Sequence, residues 1–109
     1  MLKTTSNKVE DILVISLEGR IDAHSAKDLE DQCTRWIESG EHKIIMDFAA
    51  VDFISSAGLR VVLLTAKMLS SKNGTIKLCS LNGTLRNVFE ISGFSKLFVI
   101  VPSLEDALA

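Results

Sequence analysis

Short apolar runs alternate along the chain with segments in which apolar residues recur at helical spacing. Residues 12–17 and 43–47 are short and mostly apolar, which is typical of strands buried on both faces of a parallel sheet. The segment between these runs has apolar residues at i, i+4, i+7 and i+8, the spacing of one helix face. They are Leu29, Cys33, Trp36 and Ile37.

The helix predicted after residue 56 has two apolar stripes rather than one. The first contains Leu59, Val62, Leu63, Ala66 and Leu69, and the second contains Val61, Leu64 and Met68. A helix that is apolar on two sides is usually wedged between a sheet and a neighbouring helix. The alternative is that the second stripe is an exposed recognition face for a partner protein.

Taken in order, these patterns predict the element sequence β-β-α-β-α-β-α-β-α. The predicted strands are Leu2–Asn7, Asp11–Glu18, Lys43–Asp47, Thr75–Leu81 and Lys96–Val101, and the predicted helices are about Ser25–Ser39, Ala57–Ser71, Leu85–Ser92 and a final turn after Ser103. Because helices separate the later strands, we predict an α/β domain covering residues 1–109, with a mixed, mostly parallel sheet flanked by helices. The weakly alternating first strand is predicted to be an antiparallel edge strand. The strand order is left open.

The composition of the 109 residues narrows the possible functions. The first six residues lack the apolar core of a signal peptide, and no apolar run is long enough to span a bilayer, so a cytoplasmic protein without a membrane partner is expected. Cys33 and Cys79 fall on predicted core positions, and the two histidines, His24 and His42, match no zinc spacing. We therefore predict no metal site, no cofactor and no disulfide.

Charge is unevenly placed along the chain, although the net charge is only −2. Residues 53–89 hold five basic and no acidic residues, a net charge of +5, and the remainder holds seven basic and fourteen acidic residues, a net charge of −7. This asymmetry either reflects chance along solvated faces or marks a docking surface for an acidic protein partner. Nucleic acid is not expected as a partner, because the domain is acidic and lacks a cluster of aromatic and basic residues.

The stretch from Asp47 to Arg60 is predicted to contain a strand end, a connection and a helix start. Ser55 or Ser56 is the expected N-cap of this helix, because a hydroxyl there accepts from unpaired backbone donors. The connections Gly19–His24, Phe48–Ser56 and Leu81–Thr84 leave the carboxyl ends of strands, so we expect them to meet at one sheet edge. Ser25 and Asp28 resemble a capping box for the first helix. Gly58 would lower helix stability, which suggests a close backbone approach there.

Catalytic patterns are weak in this sequence. No nucleophile elbow surrounds Ser55 or Ser56, and no glycine-rich nucleotide motif occurs, so no catalytic residue is predicted. A hydrolase that uses Ser56 would need a base within hydrogen-bond reach. A phosphate-accepting receiver with Asp47 at its centre would need an acidic pair after an early strand, which is missing. Asp47 is instead expected to accept backbone hydrogen bonds in its own loop.

Two motifs together resemble the bacterial anti-sigma factor antagonists of the STAS domain family. The first is Phe53-Ile54-Ser55-Ser56-Ala57-Gly58-Leu59, preceded by Ile44-Ile45-Met46-Asp47-Phe48, and the second is Gly19-Arg20-Ile21-Asp22. The order of elements fits this family across nearly the whole chain. The family's acceptor motif is D-S-(S/T/A)-G-L, whose serine falls on Ser56 and whose glycine falls on Gly58, while Ser55 replaces the aspartate.

The resemblance implies a non-catalytic partner switch. The unphosphorylated domain would bind an anti-sigma factor that is also a serine kinase of the ATPase fold, and a metal-dependent Ser/Thr phosphatase would reverse phosphorylation. Ser56 is the predicted acceptor and Ser55 the second choice; the predicted partner contacts are Asp22, His24, Ser55, Ser56, Gly58 and Arg60. A monomer is expected for a domain that exchanges partners. Because the aspartate is missing, the alternative is a STAS-type scaffold or transport-associated binding subunit without phosphorylation.

Overall fold

A five-stranded sheet with the order β1-β2-β3-β4-β5 forms the centre of the fold. The structure is a computed structural model that describes residues 2–109. The strands are β1 (Leu2–Val9), β2 (Ile12–Ile21), β3 (Lys43–Ile54), β4 (Thr75–Cys79) and β5 (Val99–Val101). β1 is antiparallel to β2, and all other neighbours are parallel. The predicted mixed sheet with an antiparallel first edge strand is therefore confirmed.

Four α-helices cover the two faces of the sheet unequally. They are α1 (Ala23–Glu38), α2 (Ser56–Ser71), α3 (Gly83–Ile91) and α4 (Leu104–Leu108), and a 3-10 turn spans Phe94–Lys96. Side chains of α1, α2 and α3 share the main core with one face of the sheet. The other face carries a small cluster of Val14, Ile45, Cys79 and Ala107, and among the helices of residues 2–109 only the five-residue α4 packs on it. None of the helices in residues 2–109 is long and apolar enough to cross a membrane.

The order of elements agrees with the sequence-based prediction, and the two apolar stripes of α2 have the predicted wedge geometry. Val62 and Leu69 are buried in the main core, and Val61 is 3% exposed. Helix α1 lies alongside, where the Thr34 hydroxyl is 3.9 Å from the Met68 sulfur. Both cysteines are buried and free, as expected for small core residues.

Several predicted boundaries are wrong, and each error has a local cause. β3 continues to Ile54 rather than ending at Asp47, because β2 pairs with it across two register irregularities as far as the pair Ile21↔Ile54. β4 ends at Cys79, since Ser80 adopts a φ of 65°. β5 is shorter than the predicted Lys96–Val101 because the chain first makes the 3-10 turn after Gly93.

Candidate functional site

Two helix N-termini lie side by side where β2 and β3 end. Asp22 follows β2 and precedes α1, and Ser55 follows β3 and precedes α2. The Ser55 N–H donates to the Ile21 carbonyl at 2.8 Å, which ties the two strand ends together. The third connection also reaches this edge, because the Asn82 side-chain amide donates to the Val51 carbonyl at 3.3 Å. The predicted meeting of these three connections is confirmed.

Helix α1 begins with a capping box, but its members differ from the predicted ones. The Asp22 carboxylate accepts from the Ser25 N–H at 2.9 Å, and the Ser25 hydroxyl oxygen accepts from the Asp22 N–H at 3.0 Å. Ser25 is thus the third helical residue rather than the cap, and Asp28 is not its partner in the box. The hydrogen bond from the Ser25 backbone is the main reason why the pKa of the Asp22 carboxyl lies below its usual value.

Ser55 and Ser56 have different environments although they are adjacent. Ser55 is half-buried, and its hydroxyl oxygen accepts from the Gly58 N–H at 3.1 Å, so it is the N-cap of α2. Ser56 is the first residue of the helix and is exposed. Among the hydrogen bonds of residues 2–109, none occupies the Ser56 hydroxyl. The exposed hydroxyl therefore belongs to the residue that does not cap the helix.

Gly58 allows α2 to lie against the end of β2. A β-carbon at this position would be 2.7 Å from Ile21 Cγ2, 2.8 Å from Ile54 Cγ1 and 3.1 Å from the Ile21 carbonyl oxygen. These separations are shorter than van der Waals contact, so a larger residue would force the two isoleucine side chains or the helix to shift. The predicted close backbone approach is confirmed. Gly58 itself is buried, and it lies two residues after Ser56 in the first turn of α2.

Arg60 and His24 lie on opposite flanks of α1. Arg60 is exposed and lines a groove between α1 and α2, together with Ala23, Lys27, Ala57 and Leu64. His24 is also exposed, but it lines a separate cleft between α1 and β1 that includes Thr4 and Asp28. The structure thus brings Ser55, Ser56, Gly58 and Arg60 to the start of α2 and turns His24 towards β1. Asp22 lies between them, because it precedes α1 at this edge and also lines the cleft that contains His24.

The alternative catalytic readings find no geometric support in the described part of the chain. No hydrogen bond within residues 2–109 joins the Ser56 hydroxyl to a histidine or a carboxylate, although a hydrolase would need such a base. Asp47 accepts a hydrogen bond from the Ala49 N–H at 3.0 Å, the role that was predicted for it. The described residues contain no group of three or more His, Cys, Asp or Glu side chains arranged to hold a metal ion.

One pair at this edge was not predicted. The Arg20 guanidinium carbon lies 4.2 Å from the centre of the Phe53 ring, and the two residues are cross-strand partners in β2 and β3. Both residues belong to the motifs that carry the family resemblance. Their contact could not be inferred from the sequence, because it depends on β3 extending beyond Asp47.

Comparisons with known proteins place these features in a wider context. The family model of the STAS domain matches residues 3–107. BtrV of Bordetella bronchiseptica, which is classed as an anti-sigma factor antagonist, is 41% identical over 108 residues, covering 99% of this chain and 93% of BtrV.

Two solved structures extend this comparison. An anti-sigma factor antagonist from Mycobacterium paratuberculosis has a TM-score of 0.90 at 26% identity, covering 99% of this chain and 92% of that one. The Bacillus cell fate determinant SpoIIAA in its phosphorylated form has a TM-score of 0.76 at 25% identity, covering 97% and 96% of the two chains.

Proposed function

This chain belongs to the STAS domain family, and on that premise we propose that it is an anti-sigma factor antagonist whose partner binding is controlled by phosphorylation of Ser56. The proposal rests mainly on one observation. Ser56 is exposed at the first position of α2 while Ser55 supplies the cap, so Ser56 can be modified without loss of the capping hydrogen bond.

The start of α2 is a favourable place for an added phosphate. Unpaired N–H groups and the positive end of the helix dipole stabilise negative charge there. The exposed Arg60, one turn further along the same helix, adds a positive charge to this end of the domain. That SpoIIAA has been solved in a phosphorylated form with a similar fold supports the idea that this architecture tolerates the modification.

The proposed cycle has two covalent steps. A serine kinase of the ATPase fold, which is also the anti-sigma factor, transfers the γ-phosphoryl group of ATP to the Ser56 oxygen. The hydroxyl proton passes to a base on the kinase, and ADP leaves. A metal-dependent Ser/Thr phosphatase then directs water onto the phosphorus, which regenerates the serine and releases inorganic phosphate. The antagonist supplies the hydroxyl and catalyses neither step.

Phosphorylation would change recognition because it reverses the local charge. A phosphoserine adds about −1.5 to −2 charges and three acceptor oxygens at pH 7. The exposed Arg60, one turn after Ser56, gives the start of α2 a positive charge, so the unmodified edge suits an acidic group on the partner surface. Like charges placed together at an interface cost several kcal/mol, which is enough to release the partner. Such an exchange suits a monomer in the cytoplasm.

Ser55 fulfils the structural role that the family aspartate would have. Aspartate and serine are both strong N-caps, and Ser55 accepts the expected bond from the Gly58 N–H. The departure from the family motif therefore preserves the start of α2. This supports Ser56 over Ser55 as the acceptor, because the Ser55 hydroxyl is half-buried and already engaged with the backbone.

The test uses the ATPase-fold serine kinases of the source organism, purified and assayed one by one with ATP. Mass spectrometry should locate one phosphate on Ser56, and Ser56→Ala should abolish labelling while Ser55→Ala retains it. Ser56→Ala should bind the kinase as the wild type does, and Ser56→Glu should bind at least tenfold more weakly. Partner binding without any Ser56 labelling would favour the unphosphorylated scaffold instead.

A further inference from the structure

Arg20 and Phe53 form a close pair on the open face of the sheet. The guanidinium carbon lies 4.2 Å from the ring centre, within the range of a cation–π contact. Arg20 is exposed, and Phe53 is 37% exposed, one of the few large apolar side chains that solvent reaches. None of the ion pairs among residues 2–109 involves Arg20. Its hydrogen-bonding edge is therefore available to a partner.

The pair lies on a part of the sheet that none of the described helices covers. Ile21 and Ile54, the next residues along β2 and β3, point into the core shared with α1, α2 and α3. Arg20 and Phe53 therefore point to the opposite face. Helix α4, which lies on that face, packs on Val14, Ile45 and Cys79, closer to the other ends of β2 and β3. The exposed neighbours Ala49 and Ala50 are too small to shield the pair.

The pair is also tied directly to the sheet edge that carries Ser55 and Ser56, the serine edge. Phe53 lies two residues before Ser55, and Arg20 precedes Ile21, whose carbonyl accepts the Ser55 N–H at 2.8 Å. The β2–β3 register shifts between Gly19 and Arg20, and such irregularities redirect side chains at functional edges. The pair therefore lies within two or three residues of the strand ends that hold the start of α2, with the pair on the open face of the sheet and Arg60 on the helix side.

We propose that Arg20 and Phe53 form a docking platform for a partly apolar, carboxylate-bearing surface of the partner protein. This rests on the proposed function, because the occupant is the same kinase that recognises Ser56. The ring holds the guanidinium in place, so less side-chain freedom is lost when Arg20 pairs with a carboxylate through two hydrogen bonds. Arginine and large aromatic side chains are also typical of the residues that dominate binding at protein interfaces.

Binding should be measured by calorimetry between the full chain and the purified kinase that binds the wild type most tightly. Arg20→Gln should weaken binding about tenfold at low salt, and less at high salt, because the lost interaction is partly electrostatic. Phe53→Leu should weaken binding about fivefold. The double variant should bind only slightly more weakly than Arg20→Gln, because the two side chains act as one unit.

Three controls separate docking from folding. Phe53→Tyr keeps the ring and should restore binding to within about threefold of the wild type. Arg35→Gln removes a matched charge in the last turn of α1, far from the serine edge, and should leave the Kd unchanged within twofold. Because both platform residues are exposed, each single variant should melt within about 3 °C of the wild type.

The outcomes distinguish this inference from the proposed function. If Arg20→Gln and Phe53→Leu bind the kinase as tightly as the wild type and Ser56→Glu binds it weakly, the platform is overturned and the phosphorylation switch stays intact. Wild-type affinity for Ser56→Glu alongside weak binding of the platform variants would support the platform and overturn the switch. Failure of every kinase to bind the wild type would overturn both.

Discussion

Replacing Ser55 with alanine should destabilise the fold, whereas replacing its neighbour Ser56 should not. The Ser55 hydroxyl oxygen accepts from the Gly58 N–H at 3.1 Å, and no other acceptor for this donor is found in the described residues. Alanine would leave the N–H of the buried Gly58 without this partner. Ser56 is exposed and forms no comparable bond, so its truncation removes nothing that holds the helix.

The size of the difference follows from the capping geometry. Loss of a serine N-cap costs about 1 kcal/mol, within a range of about 0.5–2 kcal/mol. For a domain of this size, about 1 kcal/mol corresponds to a fall in Tm of about 4–5 °C. Ser56→Ala is a surface substitution within a helix, where alanine is the better helix former, so its effect should lie within about 0.5 kcal/mol of zero.

Urea unfolding followed by circular dichroism measures both free energies, and equal slopes would show that the variants unfold the same amount of surface. Ser55→Asp is the matched control, because an aspartate also caps the helix and should keep wild-type stability. Equal losses in Ser55→Ala and Ser56→Ala, or a larger loss in Ser56→Ala, would refute the division of roles between the two serines.

Three further predictions follow from the packing and the titratable groups. Gly58→Ala should destabilise the domain by about 1–2 kcal/mol in thermal unfolding, because overpacking against Ile21 and Ile54 outweighs the gain in helix propensity; a stabilised variant would contradict this. Since the pKa of the Asp22 carboxyl is lowered in the folded state, the ionised carboxylate stabilises the fold at neutral pH, and this stabilisation is lost as the pH falls below about 4. The free energy of unfolding of Asp22→Asn should therefore depend less on pH in acid than that of the wild type. An equal dependence in both proteins would argue against this role of Asp22. Burial raises the pKa of the Cys33 thiol to about 11, so stability should fall as the pH rises above 9, where the unfolded thiol ionises first. Cys33→Ala should not lose stability in this way above pH 9, and an identical loss in Cys33→Ala and the wild type would show that Cys33 is not its cause.

The elements and their order could be predicted because the apolar pattern encodes them locally. The first part of β2 and the first half of β3 are mostly apolar runs, and the helices carry stripes of the right period. The serine edge could also be placed, since parallel strands bring their carboxyl ends together. Gly58 was identified as a close approach because a glycine inside a helix needs a packing reason.

Other features depend on tertiary pairing and have no local signal. Residues 49–53 show no strand alternation, yet they extend β3 because β2 continues beside them. The start of α1 was ambiguous, because Asp22 and Ser25 satisfy the same spacing rule as Ser25 and Asp28. The structure selects the earlier pair. The Arg20–Phe53 contact requires the register of the extended strands, which the sequence does not reveal.

The arrangement of adjacent serines would allow the proposed switch to operate without refolding of the domain. If one serine both capped α2 and accepted a phosphate, each modification would change the hydrogen bond that starts the helix. Here the capping bond belongs to Ser55, and the exposed position belongs to Ser56. A charge added at Ser56 can therefore alter the surface between the Arg20–Phe53 platform and Arg60, while Gly58 keeps α2 against the sheet.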